Sequence, residues 1–250
     1  MSFDSDLQFA HRLADAADAI TLARFRARDL RVDTKPDLTP VSEADRAAEE
    51  ELRRLVASSG RGENFFGEEF GDEGGDVRWI VDPIDGTTSY VRGVPVWATL
   101  LALEREGVVD VGLVSAPALG RRWWATRGGG AFADGERCHV SAIRILDDAA
   151  VSTTSARRMP PGWRTMVDRA WSNRGLGDFW QHCLVAEGAV DVGCDAVLQL
   201  WDYAGVKLVV EEAGGRATTF DGGHPAPGAS FVATNGLLHD EVVALLSGAS

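Results

Sequence analysis

The chain has 250 residues, 45% of them hydrophobic and 25% charged, enough to bury a sizeable core in one large domain or two intimate ones and too apolar for intrinsic disorder. A formal net charge of −13 excludes nucleic acid and anionic membrane surfaces as partners, since both demand a basic face. Cys138, Cys183 and Cys194 are odd in number and lack C-x-x-C spacing, which excludes a disulfide scaffold or thiolate zinc site and points to a reducing, cytoplasmic compartment.

The first residues, Met1 to Asp6, are acidic and show no basic segment followed by an apolar one, and no stretch is apolar for the ~18 residues of a membrane span. Asp4 and Ser5 are candidate caps for a helix whose apolar positions Leu7, Ala10, Leu13, Ala14, Ala17 and Ile20 recur every three or four residues. Thr34 to Pro40 carries two prolines and reads as a loop. Ser42 then caps a second helix with the stripe Ala44, Ala47, Ala48, Leu52 and Leu55.

From about Glu63 the pattern changes to short apolar runs bounded by Gly and Asp: Asn64-Phe65-Phe66, Trp79-Ile80-Val81, Trp97 to Leu103 and Val108 to Val114, all predicted strands. Glu106-Gly107 and Asp134-Gly135 are hairpin signals. Gly128-Gly129-Gly130 lacks the flanking pattern of a phosphate-binding loop and reads as a turn before a hairpin. The second half gives a strand over 150–154, helices over 162–171, 179–187 and 202–213, the last ended by Gly214-Gly215, a strand through Phe231-Val232-Ala233 and a helix over 238–246. No linker or solenoid repeat divides the chain. The layout is α/β, with mixed sheets covered by helices.

The chemistry concentrates in Trp79-Ile80-Val81-Asp82-Pro83-Ile84-Asp85-Gly86-Thr87, where an apolar strand runs into two acids. Pro83 fixes φ and removes a donor, so that a sharp turn after Asp82 lets both carboxylates and the Ile84 carbonyl converge on one point. Such hard oxygen donors suit Mg²⁺. Gly86 permits close backbone approach, and a helix starting there would turn the Gly86 and Thr87 amides toward a phosphate. Read alone, Asp85-Gly86 is also a turn, Ser42-x-x-Asp45 a capping-box-like pattern, Asp202 a natural N-cap and Glu69 a solvated acid. The five histidines show no i, i+4 pair, so neither zinc nor a phosphohistidine is supported.

Four separated motifs occur in order: Lys35-Pro36-Asp37-Leu38-Thr39-Pro40-Val41-Ser42 with Asp45, Gly67-Glu68-Glu69, the Asp82 to Thr87 segment, and Leu200-Trp201-Asp202-Tyr203-Ala204-Gly205 with Glu212-Ala213-Gly214-Gly215. Together they resemble the inositol monophosphatase superfamily of Mg²⁺-dependent, lithium-sensitive phosphatases over nearly the whole chain. The resemblance implies a layered α-β-α-β-α sandwich forming one catalytic unit over 1–250, with most metal ligands in the half ending near 145 and Asp202 and the specificity residues in the half from about 146. It implies two or three Mg²⁺ ions: Glu68, Asp82 and the Ile84 carbonyl at one, Asp82, Asp85 and Asp202 at another, and Glu68 reaching a third through water. Asp45, Thr87 and Glu68 would be catalytic, the Asp45–Thr87 pair orienting and deprotonating water, with Asp85, Gly86, Thr87 and Asp202 also contacting substrate. It further implies a homodimer.

Within the superfamily, Gly177-Asp178-Phe179-Trp180, Arg92 to Trp97 and Ala116 to Trp124 look like the actinobacterial histidinol-phosphate phosphatases. There an acid seven residues before the Trp-Asp aspartate contacts the polar end of the substrate; the position is Asp195 here, where Glu is commoner. Asp178, Asp195 and Trp180 would form an acidic, aromatic pocket for a cationic alcohol. The expected reaction is hydrolysis of L-histidinol phosphate by in-line attack of water. Inositol monophosphate or other polyol and sugar phosphates are the alternative substrates, and a non-catalytic metal or phosphate sensor the alternative class.

Overall fold

The computed structural model describes residues 3–36 and 38–248; Asp37 of the first motif lies outside them. In chain order the elements are α1 (Phe3–Arg24), β1 (Val32–Thr34), β2 (Pro40–Ser42), α2 (Glu43–Ser58), β3 (Asn64–Gly67), β4 (Gly71–Asp72), β5 (Val77–Asp85), α3 (Thr87–Val91), β6 (Ala98–Arg105), β7 (Val108–Ala116), β8 (Arg121–Thr126), β9 (Gly130–Ala133) and β10 (Glu136–Arg137). The second half continues with β11 (Ala150–Thr153), α4 (Pro161–Arg169), β12 (Ser172–Arg174), α5 (Asp178–Ala186), β13 (Val192–Leu198), α6 (Leu200–Glu212), β14 (Arg216–Thr218), β15 (Ala229–Thr234) and α7 (His239–Ser247).

An eight-stranded mixed sheet, ordered β10-β9-β8-β7-β6-β5-β3-β4, and a five-stranded mixed sheet, ordered β12-β11-β13-β15-β14, stack with helices outside and between them. On one face of the larger sheet, α1 and α2 bury Phe9, Leu13, Ala17, Leu52 and Val56 against Phe65, Trp79, Leu103 and Leu113. Each fully buried large side chain of this kind contributes about 1.5–3 kcal/mol, which is why the three-to-four-residue spacing of α1 predicts its inward face. On the other face, α5 and α6 share one core with both sheets, Phe179, Cys183, Val206 and Val209 meeting Leu100, Val114 and Trp123 on one side and Phe231 and Ala233 on the other. Trp163, Met166, Val242 and Leu246 of α4 and α7 close the far face of the smaller sheet against Val151, Val192 and Val232. The layering is therefore α-β-α-β-α, as the sequence resemblance implies.

Local differences from the sequence reading have physical causes. The first helix begins at Phe3, so Ser5 lies inside it rather than at its cap. The proline-bearing segment is not all loop: β2 starts on Pro40, the first residue of a strand, where a missing N–H does least harm, and pairs with β1 in a two-stranded ribbon. Glu106 and Gly107 take φ of 51° and 78°, the backbone of a tight hairpin turn, and Asp134-Gly135 likewise closes β9 onto β10.

Helix α6 comes unusually near the larger sheet because both surfaces are glycine at the crossing. A Cβ on Gly112 would lie 2.4 Å from the Gly205 carbonyl oxygen, and one on Gly205 2.7 Å from the Leu101 oxygen. Backbone cannot yield as a side chain can, so Gly112→Ala must push α6 outward and is expected to cost about 1–3 kcal/mol. A lowered urea midpoint with an unchanged m-value checks this; an unchanged midpoint would show that α6 is free to shift.

Candidate metal centre and its adjoining pocket

In a regular strand, residues three apart point to opposite faces, so Asp82 and Asp85 should diverge. The register of β5 on β6 shifts between them: Asp82 pairs with Leu100 and Asp85 with Ala98, three steps on one strand against two on the other. This irregularity, at a proline that needs no donor, brings the two acids to one side. The expected sharp turn after Asp82 is thus a bulge inside a strand that runs on to Asp85, tied by Thr99 Oγ1 donating to the Pro83 carbonyl at 2.8 Å.

Asp202 arrives from the opposite side of the chain on the first turn of α6. It is not the N-cap: Gln199 is, and Asp202 reaches back from the third helical position to accept the Gln199 N–H at 2.7 Å. One carboxylate oxygen from each of Asp82, Asp85 and Asp202 lies within 4.8 Å of the others. Their donors are backbone amides, Ile84 N–H to Asp82 at 2.9 Å and Phe179 N–H to Asp85 at 2.7 Å. Burial first, and then neighbouring negative charge, raises Asp82 and Asp85 well above the usual carboxylate range; burial likewise raises Asp202 to about 7, with partial relief from the Gln199 amide. Three clustered acids, Asp82 buried and Asp85 and Asp202 half-buried, without a hydrogen-bonded cationic side chain among the described residues are a donor set that fits a hard divalent cation.

Glu68 lines the same cavity of about 590 Å³ as Asp82, Ile84, Asp85, Gly86, Thr87 and Asp202. Its Oε1 accepts from Lys35 Nζ at 2.7 Å, and Glu69 Oε1 accepts from the same ammonium at 2.7 Å. Burial opposes the charge on Lys35, but those two bonds more than offset it and its pKa rises. Burial, relieved in part by Lys35, raises Glu69 to about 7.

Asp45 serves two purposes. Its Oδ2 accepts the Ser42 N–H at 2.9 Å and completes the capping box of α2, while its Oδ1 is 3.2 Å from Thr87 Oγ1. Thr87 Oγ1 is also 2.9 Å from the Ile84 carbonyl, so its single proton has two acceptors in reach. Asp45 is fully buried, and burial raises its pKa against the hydrogen bonds from Ser42. Gly86, at φ 81°, is the N-cap of α3. A Cβ there would be strained and 3.0 Å from the Val96 oxygen. The first N–H groups of α3 have no partner inside the helix, and Gly86, Thr87 and Thr88 line the same cavity as the acids.

A second cavity, of about 170 Å³, shares Asp85, Asp178 and Asp202 with the first and is further lined by Asp195, His182, Thr154 and the exposed Arg158. Asp178, at φ 48°, is held by its N–H donating to Thr154 Oγ1 at 2.8 Å. Burial, then the charge of Asp195, raises it to about 6. Asp195 Oδ2 accepts from Gln181 Nε2 at 2.6 Å and meets His182 Nε2 at 2.8 Å. Trp180 packs against the core and does not line this cavity, and Trp123 is fully buried. The aromatic wall expected from Trp180 is therefore absent, and Phe179 takes part instead. Sequence reasoning also missed the Phe179 amide on Asp85, the Lys35 clamp and the Gln181–His182 support of Asp195; only Lys35 had a signal, its place in the first motif.

Residues 3–249 match the model of the inositol monophosphatase family. A histidinol-phosphatase of Mycobacterium tuberculosis is 52% identical over 99% of both chains, and one of Streptomyces coelicolor 49% identical over 97% of both. Among solved structures, an IMPase of Thermotoga maritima superposes with a TM-score of 0.91 at 33% identity, covering 98% of this chain and 97% of that one. Among the described residues no helix is long and apolar enough to cross a membrane.

The raised acids give the fold a pH dependence whose sign is fixed. Unfolded carboxyls titrate near 4, so the protection owed to protons on Asp82, Asp85 and Asp202 is complete below that and is lost as pH rises through their folded values, about 7 for Asp202. A divalent cation held by these acids would replace those protons. The increase in Tm on replacing EDTA by Mg²⁺ should therefore widen from about pH 5 to about pH 8. Parallel curves would show that these acids do not take up the cation.

Proposed function

The chain belongs to the inositol monophosphatase family, whose enzymes use divalent metal ions, and from that premise we propose that it hydrolyses L-histidinol phosphate to L-histidinol and phosphate. One observation carries the substrate assignment: the acid cluster opens, through the shared Asp85, Asp178 and Asp202, into a small pocket lined by Asp178 and Asp195. A phosphate would lie at the first cavity and a cationic amino alcohol in the second. The histidinol-phosphatase relatives at 52% and 49% identity support the same substrate.

We take Mg²⁺ as the cation, two or three per site, with Glu68, Asp82, the Ile84 carbonyl, Asp85 and Asp202 as the donor set. Bound there, the cations would supply positive charge to the phosphoryl and leaving oxygens and acidify a water. The protein's own groups do the rest. Thr87 Oγ1, donating to Asp45 Oδ1, keeps a lone pair for the proton of an attacking water, and its own proton passes to Asp45; the raised pKa of Asp45 suits it to receive that proton. Lys35 fixes Glu68 beside the reacting centre, and the amides at the start of α3 orient the phosphoryl group. Asp195, pinned by Gln181 and His182, and Asp178 hold the alcohol end.

Both halves of the chain contribute to this site, which supports reading residues 1–250 as one catalytic unit. The three buried, free cysteines support a reducing, cytoplasmic address. The family resemblance supports a homodimer.

Phosphate release with Mg²⁺ should favour L-histidinol phosphate over inositol 1-phosphate by roughly a hundredfold in kcat/KM, about 3 kcal/mol of differential transition-state binding. A flat profile would leave the acid cluster intact and overturn the roles of Asp178 and Asp195. Asp82→Asn keeps the shape and removes one charge from the cluster, so kcat should fall at least ~10²-fold at saturating Mg²⁺ with the circular dichroism spectrum retained. Near-normal turnover would remove Asp82 from the centre.

A further inference from the structure

One buried acid beside the site is used by none of these steps. Glu49 lies on α2 four residues after Asp45 and is fully buried. Its Oε2 accepts the Glu69 N–H at 2.7 Å and its Oε1 the Phe70 N–H at 3.0 Å. Among the described residues the one cation bonded to it is Arg53, at 3.4 Å, which also donates to Glu73 and to the Gly71 carbonyl. A carboxylate buried this deeply is costly unless its lone pairs are filled, and here they are filled by the backbone of the turn that carries Glu68 and Glu69. The fit is close enough to dictate the next residue: a Cβ on Gly67 would fall 2.0 Å from Glu49 Oε1. On its other side the turn is pinned by the Glu68 N–H donating to the Val81 carbonyl at 3.2 Å, next to Asp82 on β5.

We propose that Glu49 is a positioning residue for the metal centre: by gripping the Glu69 and Phe70 amides it sets the place of the Glu68 and Glu69 carboxylates against Asp82. Residues four apart share a helix face, so α2 presents Asp45 to Thr87 and Glu49 to the Glu68 turn from one side. A single rigid element thus fixes the spacing between the proton acceptor and the acids. The inference rests on the assignment of Glu68 and Asp82 as cation donors made above.

The test measures cation binding directly, by Mn²⁺ electron paramagnetic resonance without substrate, together with the Mg²⁺ concentration giving half-maximal activity. In Glu49→Gln the amide can accept from the turn but its NH₂ group faces a backbone donor, so the turn should move and both constants weaken by between about ten- and a hundredfold. Turnover at saturating Mg²⁺ should change far less. Gly67→Ala displaces the same flexible carboxylate without changing the identity of residue 49, and should weaken Mn²⁺ binding in the same direction even if Glu49→Gln folds poorly. Wild-type Mn²⁺ affinity in both variants, with only a lowered Tm, would reduce Glu49 to a structural cap and overturn the proposal. Asp82→Asn separates the two levels of the argument: if it loses Mn²⁺ while the Glu49 and Gly67 variants do not, the Glu49 proposal alone fails. If it too binds Mn²⁺ normally, the donor assignment fails and the proposal with it.

Discussion

Repulsion among buried carboxylates is the constraint around which this structure is arranged. Two ionised acids with oxygens no more than 4.8 Å apart repel by at least about 3 kcal/mol even at an effective dielectric of 20, and Asp82, Asp85 and Asp202 form three such pairs. A chain optimised only for stability would not assemble them. Proteins store such cost where it is useful, and here it would give an affinity for a doubly charged cation that a solvated acidic patch would not have.

Holding like charges together requires that each be fixed from behind. Asp82 and Asp85 are turned to one side by a bulge in the centre of an eight-stranded sheet. Asp202 is clamped by its own helix cap, on a helix that two glycines allow to lie almost in contact with that sheet. Asp85 is held by an amide at the start of α5. Three elements distant in sequence therefore converge, and the large cores on both faces of the sheet resist their separation. The capping interactions of Asp45 and Asp202 belong to the same device. Capping fixes one oxygen of each carboxylate to its own helix and leaves the other to face the site.

This explains what the sequence reveals and what it hides. The strand into Asp82-Pro83-Ile84-Asp85-Gly86-Thr87 is legible because apolar residues, a proline and a glycine each restrict the backbone in a known way. Helices α1 and α2 are legible because one face is apolar. Strands β8 and β13 are not: Arg121-Arg122-Trp123-Trp124 mixes charge with indole, and β13 carries Gly193, Cys194 and Asp195 at positions buried only through partners distant in sequence. Glu49 is hidden for a related reason. It begins a run of three glutamates, and nothing local distinguishes it from the exposed Glu50; the inward direction is set by the turn it meets, some twenty residues on.

The two cavities divide the labour unevenly. The proposed cation donors come mostly from the first half of the chain, on strand β5 and the turn after β3, both held by the larger sheet. The second cavity draws on α5, β13 and the segment from Thr154 to Arg158, which can vary without disturbing the bulge. Asp195, in its proposed role, is a short acid where a longer one is commoner. Among the described residues both of its hydrogen bonds, with Gln181 and His182, fall on Oδ2, so in the proposed role Oδ1 would meet the ligand on a side chain already immobilised. A glutamate would reach further but would have more torsional freedom to lose on binding. In that proposed role rigid presentation would compensate for reach, and selectivity would rest as much on the buried pair behind Asp195 as on the carboxylate itself.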